Sequence, residues 1–426
     1  MATVLHRRLQ NGISVFIHPT EKFKTILVQL FFHRQLRQED VTQSALLPAV
    51  LQRGTVRYPS RRQLVLHLEK LYGAELTADI VKKGECQLVV YTLDLVHDQY
   101  LPGENRLLRD GLQILHELLT NPVLENGAFK EEYVRQEKEQ HEKVIKGLIN
   151  DKIAYAIERC LQEMCRDEPF SVFKYGTLEK LREIDAASLY GFYRSFLRES
   201  PAELHLIGDL DPERTFALVQ DIFRFARGTG AELPPTQVHI PVEGVRYVTE
   251  ELDVNQGKLV LGFRTGLTYA NADYFALLLY NGILGGFPHS KLFQNVREKA
   301  SLAYYAYSRL EKHKGLMLIS SGIEFKNYEK TLDIIRKQVA DMAAGNFSKE
   351  DFDNTYSGLR NQFLLEEDNP AALINRTVDG MLAGKVRTTA DLLNKLRSVT
   401  RDDVVRIAGQ VKLDTVYFMT RRGARK

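Results

Sequence analysis

The sequence predicts an α+β fold made of two repeated domains, each a mixed sheet layered with helices. Strand-like and helix-like segments follow one another without the strict βαβ order of parallel α/β proteins. The order of segments in the first half recurs in the second half at a spacing of roughly 225 residues, the size of a domain rather than of a solenoid repeat. Between the halves, residues 228–243 have the sequence GTGAELPPTQVHIPVE, a polar run rich in glycine and proline that is typical of a linker. The predicted domains are therefore 1–227 and 244–426.

The first half begins with two strands, at 9–19 and 25–33, in which apolar residues dominate. An apolar helix with Pro48 inside it is expected over 42–52, and a leucine stripe predicts a second helix over 61–72. The remaining elements are expected in this order: strands at 76–81 and 86–93, helices at 107–119, 130–147, 152–165 and 186–197, a strand at 202–208 and a helix at 212–225. This half is therefore large enough to have a core of its own.

The second half repeats these elements at matching places. The segment at 258–263 corresponds to the strand at 26–31, and ALLLYNGILGG is similar to ALLPAVLQRG. Further on, REKASLAYYAYS stands in the place of LEKLYGAELTAD, LMLISSGIE in that of CQLVVYTLD, and FDNTYSGLRNQ in that of FKEEYVRQEKE. The last part, 389–420, corresponds to 177–208. A duplicated domain explains this pattern.

The composition is that of an ordinary globular protein, with 426 residues of which 44% are hydrophobic and 27% are charged. The net charge of +3 is small against 58 basic and 55 acidic residues, so the charge gives no support for nucleic acid or a membrane surface as a partner. Cys86, Cys160 and Cys165 form no CxxC pair and are expected to be buried, reduced thiols. Because no apolar stretch is long enough for a signal peptide or a membrane span, a cytoplasmic location is expected.

The stretch 274–308 is the most informative part of the sequence. Residues 274–284 are apolar almost all the way round, which predicts a buried helix. Gly285 and Gly286 end this helix, and Pro288 cannot continue it. The sequence therefore predicts a sharp break at a glycine-rich turn.

A second, half-exposed helix is predicted over 290–299, and a tyrosine-rich strand over 302–308. Arg297 then lies near the end of that helix and Tyr304 in the strand, seven residues further on. A guanidinium can hold backbone carbonyls with its planar fork of donors, and a phenol can donate to an oxyanion, which suits the binding or cleavage of an extended peptide. The alternative is an Arg297 paired with a nearby glutamate and a Tyr304 packed in a sheet. These are ordinary placements, and composition alone favours them.

The run LGGFPHSKLFQNVREKASLAYYAYS resembles a segment of the insulinase/pitrilysin family of zinc peptidases, which includes the mitochondrial processing peptidases. The shared features are a glycine-rich loop, a helix and the motif R-E-K-x-x-L-A-Y. The resemblance implies two homologous domains of the processing-peptidase fold, of the LuxS/metallohydrolase type, that form half of a clamshell. It also implies that Arg297 and Tyr304 contact a peptide substrate, together with the loop at Gly285 and Gly286.

Active members of that family carry an inverted zinc motif, H-x-x-E-H, on a helix of the first half. Its two histidines lie on one helical face and bind the metal, and its glutamate acts as the general base for a metal-bound water. The matching stretch here is ALLPA, placed by the R-G-T that follows at 53–55. Ala45 and Ala49 stand at the ligand positions and Pro48 at the position of the base. No catalytic residue, metal or other cofactor is therefore expected in this chain, and zinc is expected only in a partner subunit.

No other residues supply the missing chemistry. The resemblance places the family's third ligand, a glutamate, at Glu139 or Glu142, where a solvated helix charge is expected without histidine partners. No two histidines lie three or four residues apart, and the HELLT run at His116 lacks the second histidine of a zincin motif. There is no G-x-S-x-G motif, and Ser290 is expected to cap a helix.

Three hypotheses follow from the sequence. The first is a zinc-free, catalytically incomplete subunit that binds and positions peptide for a homologous zinc-bearing partner in a heterodimer, since some pairs in the family divide the work in this way. The second is a structural or interaction protein with no role in proteolysis, in which Arg297 and Tyr304 are packing residues. The third, a self-sufficient peptidase with unrecognised ligands, would need replacements for three absent functional groups.

Overall fold

The structure, a computed structural model, describes residues 4–103, 106–228 and 230–423 and contains helices and strands in mixed order, as the α+β class predicts. The first part of the chain contains β1 (Leu5–Arg8), β2 (Ser14–Pro19), β3 (Thr25–Gln35), α1 (Val41–Leu51), α2 (Arg61–Lys70), β4 (Glu75–Lys83), β5 (Cys86–Val96), α3 (Leu107–Thr120), β6 (Leu124–Glu125), β7 (Ala128–Phe129), α4 (Glu131–Gly147), α5 (Lys152–Met164), α6 (Leu178–Glu183), α7 (Ala186–Glu199), β8 (Ala202–Gly208) and α8 (Pro212–Ile222).

The second part contains β9 (Arg246–Leu252), β10 (Gly257–Arg264), α9 (Tyr274–Asn281), β11 (Ala303–Glu311), β12 (Leu316–Ile323), α10 (Tyr328–Ala343), α11 (Lys349–Leu365), α12 (Pro370–Leu382), α13 (Thr389–Arg397), α14 (Arg401–Ala408) and β13 (Lys412–Arg421). Two π-helical segments, Gly282–Gly286 and Phe293–Lys299, lie between α9 and β11. π-Helical turns are rare and occur frequently at functional sites. None of the described helices is both long and apolar enough to cross a lipid bilayer.

The chain divides into two compact units. Unit 1 contains Met1–Lys146 and Val172–Pro235, and unit 2 contains Gly147–Ser171 and Thr236–Lys426. The boundary after Pro235 falls inside the predicted linker, whose described residues form neither helix nor strand; Thr229 of that linker lies outside the described residues. The segment Gly147–Ser171, which the sequence analysis places in the first domain, belongs to unit 2.

Each unit contains one mixed sheet, and the two sheets have the same topology. The strand order is β1-β2-β8-β3-β5-β4 in unit 1 and β9-β13-β10-β12-β11 in unit 2. In both sheets a single parallel pair, β2 with β8 or β9 with β13, is followed by antiparallel pairs only. Apart from the added edge strand β1, the orders are identical, so the predicted repeat of one mixed-sheet domain is confirmed.

The core of unit 1 lies between one face of its sheet and the helices α1, α3 and α7. Helix α1 is buried over most of its surface, as its nearly continuous apolar sequence predicts. Leu46, Leu47 and Leu51 of this helix are fully buried in the same cluster as Phe32 and Tyr91 of the sheet. The helix that carries the zinc motif in the resembled family is therefore an integral part of this core.

Helix α5 explains why the segment Gly147–Ser171 belongs to unit 2. Its apolar stripe includes Ile157 and Cys160, which form one buried cluster with Val260 of β10 and Tyr417 of β13. Gly262 lets the helix approach closely, since a Cβ atom there would lie 2.7 Å from the sulfur of Met164 and force it to shift. The sequence pattern predicts this helix and its apolar face, but not which of the two sheets the face covers.

Candidate functional site

The stretch that matches the zinc motif offers no metal ligand. Ala45 is 7% exposed, Pro48 is buried and Ala49 is partly buried, all on helix α1. Pro48 has no backbone N–H, so the carbonyl of Ser44 lacks its usual helical donor, while the carbonyl of Pro48 still accepts from the N–H of Gln52 at 3.1 Å. None of the three side chains has a lone pair or a titratable proton. The residues present at this place therefore do not fit a zinc ion.

The two glutamates suggested as a third ligand lie on the exposed side of α4. Glu139 pairs with Arg135 at 2.7 Å and Glu142 pairs with Lys146 at 2.5 Å, one turn away along the same helix in each case. The side chains of Glu139 and Glu142 are 55% and 42% exposed, so the expectation of solvated helix charges fits their surroundings.

The buried acid of α4 is Glu137, which the sequence analysis missed. Its carboxylate lies 2.5 Å from the guanidinium Nε of Arg53, which follows α1, and the Glu137 side chain is 9% exposed. A signal was present in the sequence, because Val134, Glu137 and His141 follow one another at helical spacing and are the buried residues of this helix. The pair joins α4 to the segment that follows α1, the helix that matches the zinc-motif helix of the resembled family.

Within residues 4–103, 106–228 and 230–423, no group of three or more His, Cys, Asp or Glu side chains is arranged to hold a metal ion. His141 is buried and its Nε2 bonds to the backbone carbonyl of Tyr175 at 2.8 Å. Burial lowers the pKa of His141, although its hydrogen bond to Tyr175 acts in the opposite direction. This histidine is a satisfied core residue rather than a ligand.

The glycine-rich turn is shaped by a close approach to strand β11. A Cβ atom on Gly285 would lie 2.5 Å from the backbone nitrogen of Ser308 and 2.7 Å from Cδ1 of Leu292. Gly285 is buried, whereas Gly286 is exposed. A Cβ atom on Gly286 would lie 3.1 Å from the end of the Asn281 side chain and 3.3 Å from the Asn281 backbone oxygen, a less severe approach. The π-helical turn therefore requires glycine at position 285 for packing, and Gly286 is the member of the pair that solvent can reach.

Ser290, two residues beyond Pro288, does not cap the next helical segment with its side chain. The segment Phe293–Lys299 has no side-chain cap, and the Ser290 hydroxyl is buried without a partner among the described residues. The backbone carbonyl of Ser290 instead accepts from the N–H of Gln294 at 3.0 Å. The helical run begins directly after Ser290, at Lys291, but the Ser290 hydroxyl makes no capping bond, so the predicted capping role of this side chain is wrong.

Arg297 lies in the π-helical segment Phe293–Lys299 and is exposed. Its guanidinium stacks over the ring of Phe293 at 4.5 Å from the ring centre. No carboxylate within the described residues pairs with it, in contrast to the ordinary placement of an arginine beside a glutamate. The five donors of this group therefore face solvent.

Tyr304 lies at a β-bulge of the edge strand β11. The pairing with β12 passes from Ala303 opposite Ile323 directly to Tyr305 opposite Gly322, which leaves Tyr304 without an opposite residue. Bulges often change the direction of a side chain beside an active site. The Tyr304 side chain is 67% exposed, so it is not packed in the sheet.

Ser301 turns the chain between the two candidate residues. Its φ of 51° lies in the left-handed region, which is uncommon outside glycine, and it separates the π-helical segment from β11. The backbone N–H of Leu302 donates to the carbonyl of Val296 at 3.1 Å, and β11 packs against the segment that carries Arg297. The elements that present Arg297 and Tyr304 are thus held together by the fold of unit 2.

The corresponding positions of the first repeat show which of these features the fold itself requires. Tyr72, with a φ of 56°, occupies the position of Ser301 before the edge strand β4, so the left-handed turn is common to both repeats. By the same repeat, buried Leu68 stands in the place of Arg297, and Glu75 in the place of Tyr304. The repeat therefore conserves the backbone turn, but the exposed Arg and Tyr donors belong to the second half alone.

Comparison with known proteins decides the family. Residues 183–359 match the family model described as "Peptidase M16 inactive domain". A protein of Bacillus subtilis (strain 168) described as "Probable inactive metalloprotease YmfF" is 38% identical over 408 residues, 96% of each chain. The chain belongs to the M16 peptidase family. It is a catalytically inactive member, in agreement with the absent zinc motif.

Two further relatives extend this result. A second protein of Bacillus subtilis (strain 168), described as "Uncharacterized zinc protease YmxG", is 23% identical over 239 residues, 55% of this chain and 57% of that protein. A crystal structure of a conserved protein from Enterococcus faecalis V583 matches with a TM-score of 0.92 at 28% identity and covers 99% of both chains. The predicted peptidase-type α+β fold is confirmed over the whole chain.

Proposed function

We propose that this M16 member is the zinc-free subunit of a two-subunit peptidase. In this proposal it binds an extended peptide through Arg297 and Tyr304 and positions the peptide for a homologous, zinc-bearing partner subunit. The observation that supports the proposal most is the state of these two side chains. Both are exposed, neither is bonded to a described residue, and both project from elements packed together in unit 2.

The chemistry of these groups suits a peptide. The guanidinium of Arg297 can donate to two backbone carbonyls at once, and the phenol of Tyr304 can donate to the oxygen of a peptide bond. Strand β11 is the last strand of its sheet, so its outer backbone groups can pair with an extended chain. A peptide held along this edge would pass directly by the bulge at Tyr304.

The relatives support a partnership between an inactive and a zinc-bearing member. Bacillus subtilis (strain 168) has both a protein described as a probable inactive metalloprotease and one described as an uncharacterized zinc protease. Both are similar to this chain. A chain without metal ligands that keeps peptide-binding donors would complement a subunit that carries the metal.

The proposal extends to the cellular compartment. Cys86, Cys160 and Cys165 are all buried and free of disulfides. Three thiols in that state suit a reducing compartment, so we place the assembled peptidase in the cytoplasm.

The second candidate is a structural or interaction protein with no role in proteolysis. The observation that favours it is helix α1, in which Ala45, at one of the three altered positions, belongs to the unit 1 core. A fold with such a core can be retained in a protein that has no catalytic activity. A self-sufficient zinc peptidase fits poorly, because α1 has no side chain that binds a metal.

The experiment that separates these functions combines this chain with a zinc-bearing M16 subunit from the same organism. Cleavage of a fluorogenic peptide is measured for the wild type, Arg297→Ala and Tyr304→Phe, and complex formation is checked by size-exclusion chromatography. We expect each variant to assemble and to lose at least about tenfold in kcat, since one lost oxyanion donor typically costs on the order of 10²-fold. Tyr307→Phe, in the same strand, is the matched control and should cleave at the wild-type rate.

Two results would contradict the proposal. If Arg297→Ala and Tyr304→Phe assemble and cleave as fast as the wild type, the chain has a structural role. If the purified chain alone contains one zinc per molecule and cleaves the peptide, the division of work between two subunits is wrong. Metal analysis of the lone chain is therefore part of the same experiment.

A further inference from the structure

The edge strand β9 of unit 2 lacks a neighbour that its counterpart in unit 1 has. In unit 1 the strand β2 pairs in parallel with β8 on one side and antiparallel with β1 on the other. In unit 2 the strand β9 pairs in parallel with β13 and is the last strand of the described sheet. The repeat therefore shows that this edge of the sheet can accept one more antiparallel strand.

The residues before β9 do not supply the missing strand. The carbonyl of Gln237 accepts from Nζ of Lys314, in the turn between β11 and β12. A Cβ atom on Gly315 of the same turn would lie 2.8 Å from a methyl group of Val238, so the linker is held there. Among the described residues, no backbone group of β9 bonds outside the pairing with β13. The outer row of N–H and C=O groups of β9 is therefore open to another chain.

The side chains beside this edge are uncovered as well. Val15 and Ile17 of β2 are 1% and 0% exposed, in a place where α8 packs on that strand. By the register against β8 and β13, the corresponding residues of β9 are Tyr247 and Thr249. Both are exposed, Tyr247 by 55%. The place that α8 fills in unit 1 is thus open in unit 2.

Helix α10 has an exposed side next to β9. The guanidinium of Arg336 stacks over the Tyr247 ring, 5.7 Å from its centre, and donates to the Tyr247 hydroxyl. Asp333 and Ala340, about one turn before and after Arg336 on the same side of the helix, are exposed. This side carries charges of both signs and a small side chain, which suits the close approach of another helix.

The sequence of β9 is complementary to itself in one antiparallel register. With Val248 on a two-fold axis, Tyr247 of one copy lies opposite Thr249 of the other, an aromatic and a β-branched residue that pair favourably. In the same register Arg246 lies opposite Glu250, so no two like charges face each other. The strand also contains no proline and pairs with β13 without a bulge, so it lacks two features that protect edge strands.

We propose that a second copy of this chain docks on β9, so that the two five-stranded sheets of unit 2 form one continuous sheet about a two-fold axis. Each copy gives the other the antiparallel strand that β1 supplies in unit 1, and the two α10 helices lie side by side. β9 and β11 are opposite edges of the sheet, about 19 Å apart at about 4.8 Å per strand. The edge at Tyr304 stays open, so this dimer does not depend on the proposed peptidase role.

The test is sedimentation equilibrium of the full chain at micromolar concentrations. We expect the wild type to have twice the 48.8 kDa mass of one chain. Thr249→Asp should raise the Kd of the dimer at least about tenfold, because the two-fold axis brings two new negative charges into one interface. Thr77→Asp is the matched control and should dimerise like the wild type, since Thr77 is an exposed threonine of β4, an edge strand of unit 1.

Cross-linking tests the register. With Val248 on the axis, the two copies of Thr249 lie about 8 Å apart and those of Val245 about 20 Å apart, given about 3.4 Å per residue and about 4.8 Å between strands. A bismaleimide with a reach of about 10 Å should therefore link Thr249→Cys into a covalent dimer and leave Val245→Cys unlinked. The wild type is the blank, because the three native cysteines are all buried.

The proposal fails if the wild type sediments as a monomer at micromolar concentrations, since the edge would then belong to a different partner chain. It also fails if Thr249→Asp, shown to be folded by its thermal transition, dimerises like the wild type, or if Val245→Cys cross-links as well as Thr249→Cys. Should Thr249→Asp not fold, the mass of the wild type and the cross-linking pattern still decide.

Discussion

The buried ion cluster around Glu168 gives a sharp prediction about how α5 and its neighbouring turn are held in unit 2. One carboxylate oxygen of Glu168 lies 2.6 Å from Nζ of Lys314, and the other lies 2.6 Å from a guanidinium nitrogen of Arg264. The Lys314 side chain is 0% exposed, and those of Arg264 and Glu168 are each 7% exposed. The perturbation is Glu168→Gln, which keeps the shape and removes the charge.

The expected loss follows from these distances. At an effective dielectric constant of about 20, two unit charges 2.6 Å apart attract by about 6 kcal/mol. The cost of taking the ions out of water offsets most of this attraction, but removing only one partner of a buried pair costs about 3–5 kcal/mol. Arg264 keeps Asp414 at 2.7 Å, and Lys314 keeps the carbonyl of Gln237. We therefore expect the lower value, a loss of about 3 kcal/mol in the free energy of unfolding of unit 2.

Hydrogen exchange in increasing urea, followed on peptides from α5 and β12, measures the free energy of unfolding of unit 2 separately from that of unit 1. The matched control is Asp353→Asn, because Asp353 also lies 2.6 Å from a lysine, Lys349, but on the surface of α11 with its side chain 53% exposed. This control should change the free energy by less than about 0.5 kcal/mol. If both substitutions lowered the free energy of unfolding equally, the argument that burial rather than distance decides how much an ion pair contributes to stability would be refuted.

Two further predictions concern the glycine-rich turn and the buried His33. Gly285→Ala places a Cβ atom 2.5 Å from the backbone of β11 and should lower the free energy of unfolding of unit 2 by about 1–3 kcal/mol in urea denaturation. The control Gly286→Ala should lower it by less than about 1 kcal/mol. Equal losses for the two variants would contradict the close approach at Gly285. Burial lowers the pKa of His33, but Cys86 and the Glu203 carboxylate, 3.6 Å away, outweigh it and raise that pKa. A raised histidine pKa stabilises the fold fully below the unfolded value of about 6.5, and this contribution is lost progressively as the pH rises from there to the folded value of about 10. His33→Gln should therefore cost more stability near pH 6 than near pH 9, and a constant difference across this range would count against the ion pair.

Much of the fold could be predicted because it depends on local patterns. The apolar run at α1 and the near-complete burial of α9 follow from hydrophobic patterning, and the position of Pro48 inside α1 can be read directly from the sequence. The shared strand order of the two sheets follows from a repeat that could be read from short matching strings. These features need no knowledge of which distant residues meet.

Other features depend on distant contacts and could not be predicted. The pattern of α5 shows that one face is buried, but the sheet that covers it lies about 100 residues further along the chain. The bulge at Tyr304 is one unpaired residue in a strand, and nothing in the run AYYAYS distinguishes it from its neighbours. For Glu137, helical spacing already favours the buried face of α4, but its partner Arg53 is a distant contact that the sequence does not show.

Some of the candidate residues in the second half are required for folding, and others are not. Gly285 has no side chain because the backbone of β11 leaves no room for one, so folding alone accounts for it. Tyr304 is 67% exposed and Arg297 is exposed, and their polar ends bond to no described residue, so the stability of the lone chain hardly depends on them. A bulge and a left-handed residue nevertheless present them at the edge strand of the unit 2 sheet. Folding therefore does not account for these two exposed donors, whereas the proposed binding of a peptide would use them. For this reason Tyr304→Phe examines function directly, since the change removes one exposed oxygen and leaves the packing of unit 2 as it is.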